Sequence, residues 1–246
     1  MNGSESLGIT RALHDPAHLE QIAHLDPRDP LVPEVFERDG VVVLDGVLTE
    51  REVARIERNV ERYRKHMLAA LPEDWVRRVG DDVVSGMYFM ERVDPFFKGL
   101  GEDPVLRALV EVVTGARAHP MGVETFDKPA QVGSPALPHQ DGVYFAETST
   151  RIAHVWLPLD PTDAGNGAMW YWPGSHRGEI LPHVPTDDPW LVQVDPDTVA
   201  MLPAPRLAAL RPGSVIIHHD RIVHASPPNA SPQSRRAVAI AWQLDL

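Results

Sequence analysis

The sequence contains no cysteine. That absence removes disulfides, thiolate metal sites, iron–sulfur clusters and cysteine nucleophiles together, so any metal must be held by His, Asp or Glu. Positive charge is also scarce: 23 Lys and Arg stand against 35 Asp and Glu, a formal net charge of −12. Nucleic-acid grooves and anionic membrane surfaces reward clustered positive charge, so neither is expected as a partner and a small-molecule substrate is the class left open. No apolar run approaches the roughly 18 residues of a membrane span. The opening MNGSESLGITRALHDP has neither a basic start nor an apolar signal core. The expectation is a cytoplasmic protein, and the oligomeric state is left open.

What is present divides into three textures within 246 residues, a length that suits one domain with a substantial core. Residues 1–30 are polar and interrupted by DPAH, DPRD and Pro30, which reads as an arm or lid. Residues 31–117 read as a helical buttress. A short helix over Pro33 to Arg38 stops at Asp39-Gly40, and VVVLD (41–45) has the length of a strand. Thr49 with Glu52 makes a capping box for a long helix, in which Val53, Ile56, Val60, Tyr63, Met67 and Leu71 recur at helical spacing. Its opposite face interleaves Arg and Glu at salt-bridge spacing and reads as a solvated face. A further helix is predicted from the Asp103-Pro104 cap to Gly115. From residue 118 to 246 short β-like runs alternate with Pro, Gly, Asn and Asp: RIAHVWLPL, GAMWYW, GSVIIHH, RIVHAS and RRAVAIAWQL. That pattern predicts a β-sandwich or barrel with the helices against it. Asn166-Gly167 is a hairpin signal and Pro173-Gly174-Ser175 a turn.

Among the 12 histidines, His-x-Asp occurs at His24/Asp26, His139/Asp141 and His218/Asp220. Chance supplies about one such pair in a chain of this composition, so the pattern alone decides little. The first lies in the polar arm. For the third, a continuous strand from 218 to 224 would hold His218 and His224 roughly 20 Å apart, too far to share an ion unless a turn intervenes. The second is better placed, because i and i+2 on an extended segment project to one face, leaving Gln140 pointing away. A histidine from a later strand would complete a 2-His-1-carboxylate triad of the kind that serves non-haem Fe(II) and O₂ chemistry. His224 is the candidate, with a buried hydrogen-bonded core histidine as the alternative.

PHQD at 138–141, VWLPLD at 155–160, NGAMWYWPGSH at 166–176, and H-A-S at 224–226 followed by Asn229 and Arg235 resemble the phytanoyl-CoA dioxygenase family. These are Fe(II)/2-oxoglutarate oxygenases, and the resemblance runs over about 33–244. It implies an α+β, mainly β fold: a double-stranded β-helix (jelly-roll, cupin-like) core with the N-terminal helices packed on one sheet, in a single oxygenase domain. It implies His139, Asp141 and His224 as iron ligands. Arg235 and Ser226 would hold the distal carboxylate of 2-oxoglutarate, and Trp156 would line that pocket. Strand alternation would send the rival Arg236 to the opposite face. Some relatives carry a lysine near the position of Ser85, where this chain reads VVSGMYF. Asp141 stands where halogenating relatives have a small residue, which implies oxygen transfer. The implied cofactors are Fe(II), 2-oxoglutarate and O₂. The implied reaction releases succinate and CO₂ and hydroxylates an unactivated C–H bond of a small molecule of specialised metabolism, although relatives also desaturate, epimerise or cyclise. Met87, Tyr144, Trp170 and Trp242 are the expected substrate contacts, and His154 and His176 are expected to be structural or to support the ligands. The alternatives are a non-redox cupin-like isomerase or lyase and a non-catalytic jelly-roll binding protein.

Overall fold

The computed structural model describes residues 19–245, apart from 81, 133, 149, 150, 189 and 190. Most of the expected arm, residues 1–18, lies outside the described residues. The rest of it is stitched down. Strand β1 (His24–Leu25) runs parallel to β2 (Val41–Leu44), and the Ile22 amide donates to the Leu207 carbonyl at 2.8 Å.

The first helices follow the sequence closely. Helix α1 (Val32–Asp39) ends at Gly40, whose φ of 76° is a left-handed conformation that glycine adopts without strain. Helix α2 (Glu50–Met67) starts on a complete capping box: the Glu52 amide donates to Thr49 Oγ1 at 3.3 Å and the Thr49 amide to Glu52 Oε2 at 2.7 Å. Its buried stripe is Val53, Ile56, Val60 and Tyr63. Each such side chain contributes roughly 1.5–3 kcal/mol by burial, so the stripe, more than intrinsic propensity, fixes the helix against the sheet. The opposite face departs from expectation. Its cations reach across to other elements: Arg62 pairs with Asp94 at 2.8 Å, and Arg64 pairs with Asp127. Helices α3 (Pro95–Gly101) and α4 (Pro104–Thr114) complete this layer, with the Asp103 side chain accepting from the Val105 and Leu106 amides.

Strands also form inside the span expected to be helical. β3 (Val76–Val79) and β4 (Val83–Met87) make a hairpin that extends the sheet beyond β5 (Ala118–Phe126). With β7 (Arg151–Pro158), β12 (Val215–His219) and β14 (Ala237–Leu244), an eight-stranded sheet runs in the order β1-β2-β12-β7-β14-β5-β4-β3. A four-stranded sheet orders β11 (Arg206–Ala208), β8 (Met169–Tyr171), β13 (His224–Ser226) and β6 (Ala136–His139). β9 (His183–Pro185) and β10 (Val192–Val194) form a separate hairpin, and helix α5 (Pro196–Ala200) lies in the mainly β half.

Side-chain alternation sorts three apolar layers. Val42, Leu44, Val155, Ile217, Val238 and Ile240 pack with the helices, whereas Val41, Val43, Trp156 and Ile216 share a layer with Met169, Tyr171 and Ala208 of the small sheet. VVVL (41–44) is apolar throughout because both faces of the strand are covered. Trp170, Trp172 and Ala225 pack behind the small sheet with Val199. Two facing sheets, antiparallel except at the β1–β2 edge, with helices on the outer side of the larger one are the jelly roll that the resemblance implied. Asn166-Gly167 is a turn, as expected, but it joins strands of different sheets (β7 and β8) and so is not a hairpin.

Candidate metal centre

The space between the sheets contains a cavity of about 470 Å³. β6 delivers His139 at its last position, and β13 places His224 directly opposite in register, with ring centroids 4.3 Å apart. Asp141 follows β6 at the start of a 3₁₀ helix (Asp141–Thr148), so His139 and Asp141 converge across a strand end and not along one extended strand. Gln140 between them is buried, donates to the Arg221 carbonyl at 2.5 Å and accepts from the Leu181 amide at 2.7 Å. It locks the backbone of the turn. Asp141 Oδ1 lies 3.5 Å from His139 Nε2 and 3.6 Å from His224 Nε2.

Two further histidines reach the same carboxylate. His154 on β7 and His218 on β12 are a register pair with stacked rings, and each places a nitrogen 3.2 Å from Asp141 Oδ2. The strand is not continuous from 218 to 224, and the intervening turn brings His218 and His224 together. β12 ends at His219, the chain turns, and β13 returns in the other sheet, leaving the rings of His218 and His224 5.0 Å apart.

Among the described residues two sets could accept a metal ion, His139/Asp141/His224 and Asp141/His154/His218, each with its ligand atoms within 4.8 Å. Hydrogen bonds separate them. His139 Nδ1 faces the Leu137 carbonyl at 2.7 Å and His224 Nδ1 the Ile222 carbonyl at 3.1 Å. A carbonyl only accepts, so both Nδ1 atoms carry the proton and both Nε2 lone pairs are free. His218 Nδ1 instead faces the Tyr171 hydroxyl at 3.1 Å, which can donate to it and leave Nε2–H for Asp141. His218 thus suits a partner of the carboxylate, and His139 and His224 suit ligands. Burial opposes charge on Asp141, but the surrounding His224, His154, His139 and His218 outweigh it and hold the carboxyl well below the usual range. Burial holds the His224 and His154 rings neutral, the state in which imidazole ligates a metal.

The cavity continues to a cationic end. Arg235 is only 2% exposed, donates from Nη1 to the Phe126 carbonyl at 2.9 Å and stacks 5.2 Å above the Trp156 ring. Its buried Nε has no hydrogen-bond partner, and burial lowers its pKa to about 10. Lys128 pairs with it in an antiparallel bridge just beyond the ends of β5 and β14, through reciprocal backbone bonds of 2.8 and 2.9 Å, and both side chains line the cavity. Sequence reasoning missed Lys128, because nothing in ETFDKPA marks that lysine as buried. Its amine is held by the Ser134 and Ser226 carbonyls, and burial followed by Arg235 pushes its pKa well down. Two like charges directly opposite destabilise a sheet unless an anion joins them. Ser226 and Trp156 line the same end. Arg236 turns away, to Asp160 and to Glu57 of α2, as strand alternation required.

Of the expected substrate contacts only Tyr144 lines the cavity, half exposed, with its hydroxyl accepting from the Val192 amide at 3.2 Å. Trp242 alternates with Ala239 and Ala241 and packs against the helices. Met87 joins it there because the register shifts opposite Arg77 and Arg78, which inverts the facing of β4 after Ser85. Trp170 lies behind the small sheet, between the inward-facing Met169 and Tyr171. His176 is structural: its ring packs on Gly40, where a Cβ would meet Nδ1 at 2.4 Å.

A jelly roll with an interior His₂-carboxylate cluster beside a cationic pocket defines the class of non-haem metal oxygenases of the double-stranded β-helix type. The family model for phytanoyl-CoA dioxygenase (PhyH) matches residues 36–237, and the chain belongs to that family of iron- and 2-oxoglutarate-dependent enzymes. A probable alpha-ketoglutarate-dependent hypophosphite dioxygenase of Stutzerimonas stutzeri is 34% identical over 128 residues, 46% of this chain and 43% of that protein. The match thus spans under half of that relative. Among solved structures, EctD from S. alaskensis with bound Fe has a TM-score of 0.75 at 20% identity, covering 92% of this chain and 80% of that one. EvdO2 from Micromonospora carbonacea var. aurantiaca, complexed with 2-oxoglutarate, has a TM-score of 0.68 at 24% identity, covering 92% and 94%. These two likenesses establish the fold. Among the described residues no helix is long and apolar enough to cross a membrane.

Proposed function

We propose that this protein is an Fe(II)/2-oxoglutarate-dependent oxygenase that hydroxylates an unactivated C–H bond of a small molecule of specialised metabolism. His139, Asp141 and His224 would hold the iron, and the donor set fits: two imidazole Nε2 lone pairs left free by Nδ1–H bonds to carbonyls and one ionised carboxylate on a buried cavity wall. The metal with its co-substrate supplies the oxidation, decarboxylating 2-oxoglutarate to succinate and CO₂ with O₂ and oxidising the substrate. His154 and His218 orient Asp141 by facing its second oxygen. The observation that carries the reading is the bridged pair Lys128 and Arg235 lining the same cavity as that cluster, with the unpartnered Arg235 Nε. A guanidinium offers a carboxylate paired donors, and a dianion relieves the repulsion between the two cations. Lys128 takes the place of the lysine that some relatives carry near Ser85, since the Asp127 amide next to it bonds the Ser85 carbonyl at 2.8 Å. Trp156 fixes the guanidinium plane from below, and Ser226 adds a hydroxyl. The cavity's partly aromatic walls and volume suit a small substrate.

The test is an anaerobic titration with Fe(II) and 2-oxoglutarate, watching for the weak visible charge-transfer band of a chelated keto acid. The band is expected in wild type and lost or weakened in Asp141→Ala and Arg235→Ala. Metal binding without any band would overturn the reading in favour of a non-redox cupin-like enzyme. With the band established, succinate release across a panel of small molecules identifies the substrate, and the product distinguishes hydroxylation from desaturation, epimerisation or cyclisation.

A further inference from the structure

Charges along the cavity are nearly all matched. Asp127 pairs with Arg64 and Asp188 with Arg77, while Asp141 sits among four histidines. Asp74 is exposed at the mouth. Lys128 and Arg235 stand ready for the co-substrate. Glu124 is the exception: it lines the cavity and, among the described residues, has no hydrogen bond or ion pair from its side chain.

Its position follows from the register. Glu124 on β5 faces Ala239 on β14, which in turn faces Trp156 on β7, and one step along the same face Gly122, Ala241 and His154 form the next row. The strand between Glu124 and the Trp156–His154 edge of β7 thus contributes only methyl groups to the cavity floor. With neighbouring strands about 4.8 Å apart, the backbone of Glu124 stands roughly 10 Å from that of Trp156. This bare stretch has room for a molecule with one end at the carboxylate and a C–H bond near His139, Asp141 and His224. Phe126 projects from the same strand and stacks edge-to-face with Tyr88 at 5.9 Å, and both rings line the cavity with Tyr144.

A carboxylate desolvated here, with Asp141 and Glu91 as its charged neighbours, is unfavourable: burial, then those two acids, raise its pKa to about 7. A cation would remove that cost, whereas a hydroxyl would leave the charge uncompensated. Carboxylate and aromatic faces together form the standard chemical environment for a positively charged nitrogen.

We propose that Glu124 is the specificity-determining residue of this cavity and that the substrate carries a protonated amine, held by the Glu124 carboxylate beside Tyr88 and Phe126. This rests on the oxygenase reading, because it takes the metal cluster as the reacting end of the cavity. The experiment is calorimetric titration of the protein loaded with Fe(II) and 2-oxoglutarate under anaerobic conditions. The probes are two matched pairs, phenethylamine with phenethyl alcohol and 4-phenylbutylamine with 4-phenylbutanol. At least one amine is expected to bind about tenfold or more tighter than its alcohol, consistent with a charge-assisted hydrogen bond. In Glu124→Gln that ratio is expected to fall to near unity. Equal or weaker binding of both amines, or a preference that survives Glu124→Gln, overturns the assignment. The wild-type comparison alone decides it if the variant does not fold. Recording the charge-transfer band on the same wild-type sample separates the two ideas: a missing band sinks the oxygenase reading, and a band without amine preference sinks only this one.

Discussion

Arg235 and Arg236 are adjacent in the chain, yet one points into the cavity between the sheets and the other to the helices on the outer side. Arg235 stacks on Trp156, and Arg236 is chelated by Asp160 and Glu57. The same residue type therefore performs two unrelated jobs one position apart. Arg235→Ala is expected to raise the KM for 2-oxoglutarate about 100-fold, the scale of a lost charge-assisted contact. Arg236→Ala is expected to leave that KM within about twofold and to lower Tm by a few degrees through loss of a partly buried network. Steady-state succinate release and thermal melting check the pair, and the reverse pattern would mean that Arg236, not Arg235, holds the co-substrate.

His139→Ala and His224→Ala are expected to abolish detectable iron retention and succinate release. His154→Ala and His218→Ala should weaken iron binding by only about 10- to 100-fold, as losses of groups that orient a ligand do. Iron analysis after dialysis discriminates these roles. Equal loss in all four would mean that the ion is held by the other histidine pair as well.

Glu124 makes stability depend on pH. Its folded pKa of about 7 lies above the ordinary glutamate value of 4.5, so in between the folded state binds more protons than the unfolded one. Stability from this group is full below about pH 4.5 and is lost as pH rises through 7. Glu124→Gln should therefore be more stable than wild type at pH 8, on the order of 1–3 kcal/mol without ligands, with the difference shrinking towards pH 5. Melting curves of both proteins across that range test the sign.

Lys128→Met should raise the Tm of the ligand-free protein, because it removes a buried cation placed opposite Arg235. The same change should raise the KM for 2-oxoglutarate and shrink the Tm gain that saturating 2-oxoglutarate produces. A variant less stable than wild type without ligand would mean that the Ser134 and Ser226 carbonyls stabilise the ammonium more than Arg235 opposes it.

The sequence by itself determined the features with local or periodic causes. The Thr49/Glu52 box, the Gly40 and Gly115 stops and the helical stripe through Tyr63 appear where the pattern puts them. The opposite facing of Arg235 and Arg236 follows from the alternation of a strand. The family words around His139, Asp141, His224, Ser226 and Arg235 marked residues that the fold brings to one cavity. What only the tertiary structure decided is which residues meet across sheets and which face a bulge leaves inward. His218 joins the cluster because a turn, unreadable from spacing alone, carries the chain from one sheet to the other. Met87 is lost to the core through one shifted residue in β4, and Trp170 and Trp242 through strand parity, which fixes a face only once the inward side is known. Lys128 and Glu124 carry no local mark at all. Their significance comes from burial and from partners, or the lack of them, on strands far away in sequence, and burial and pairing are properties of the packed chain.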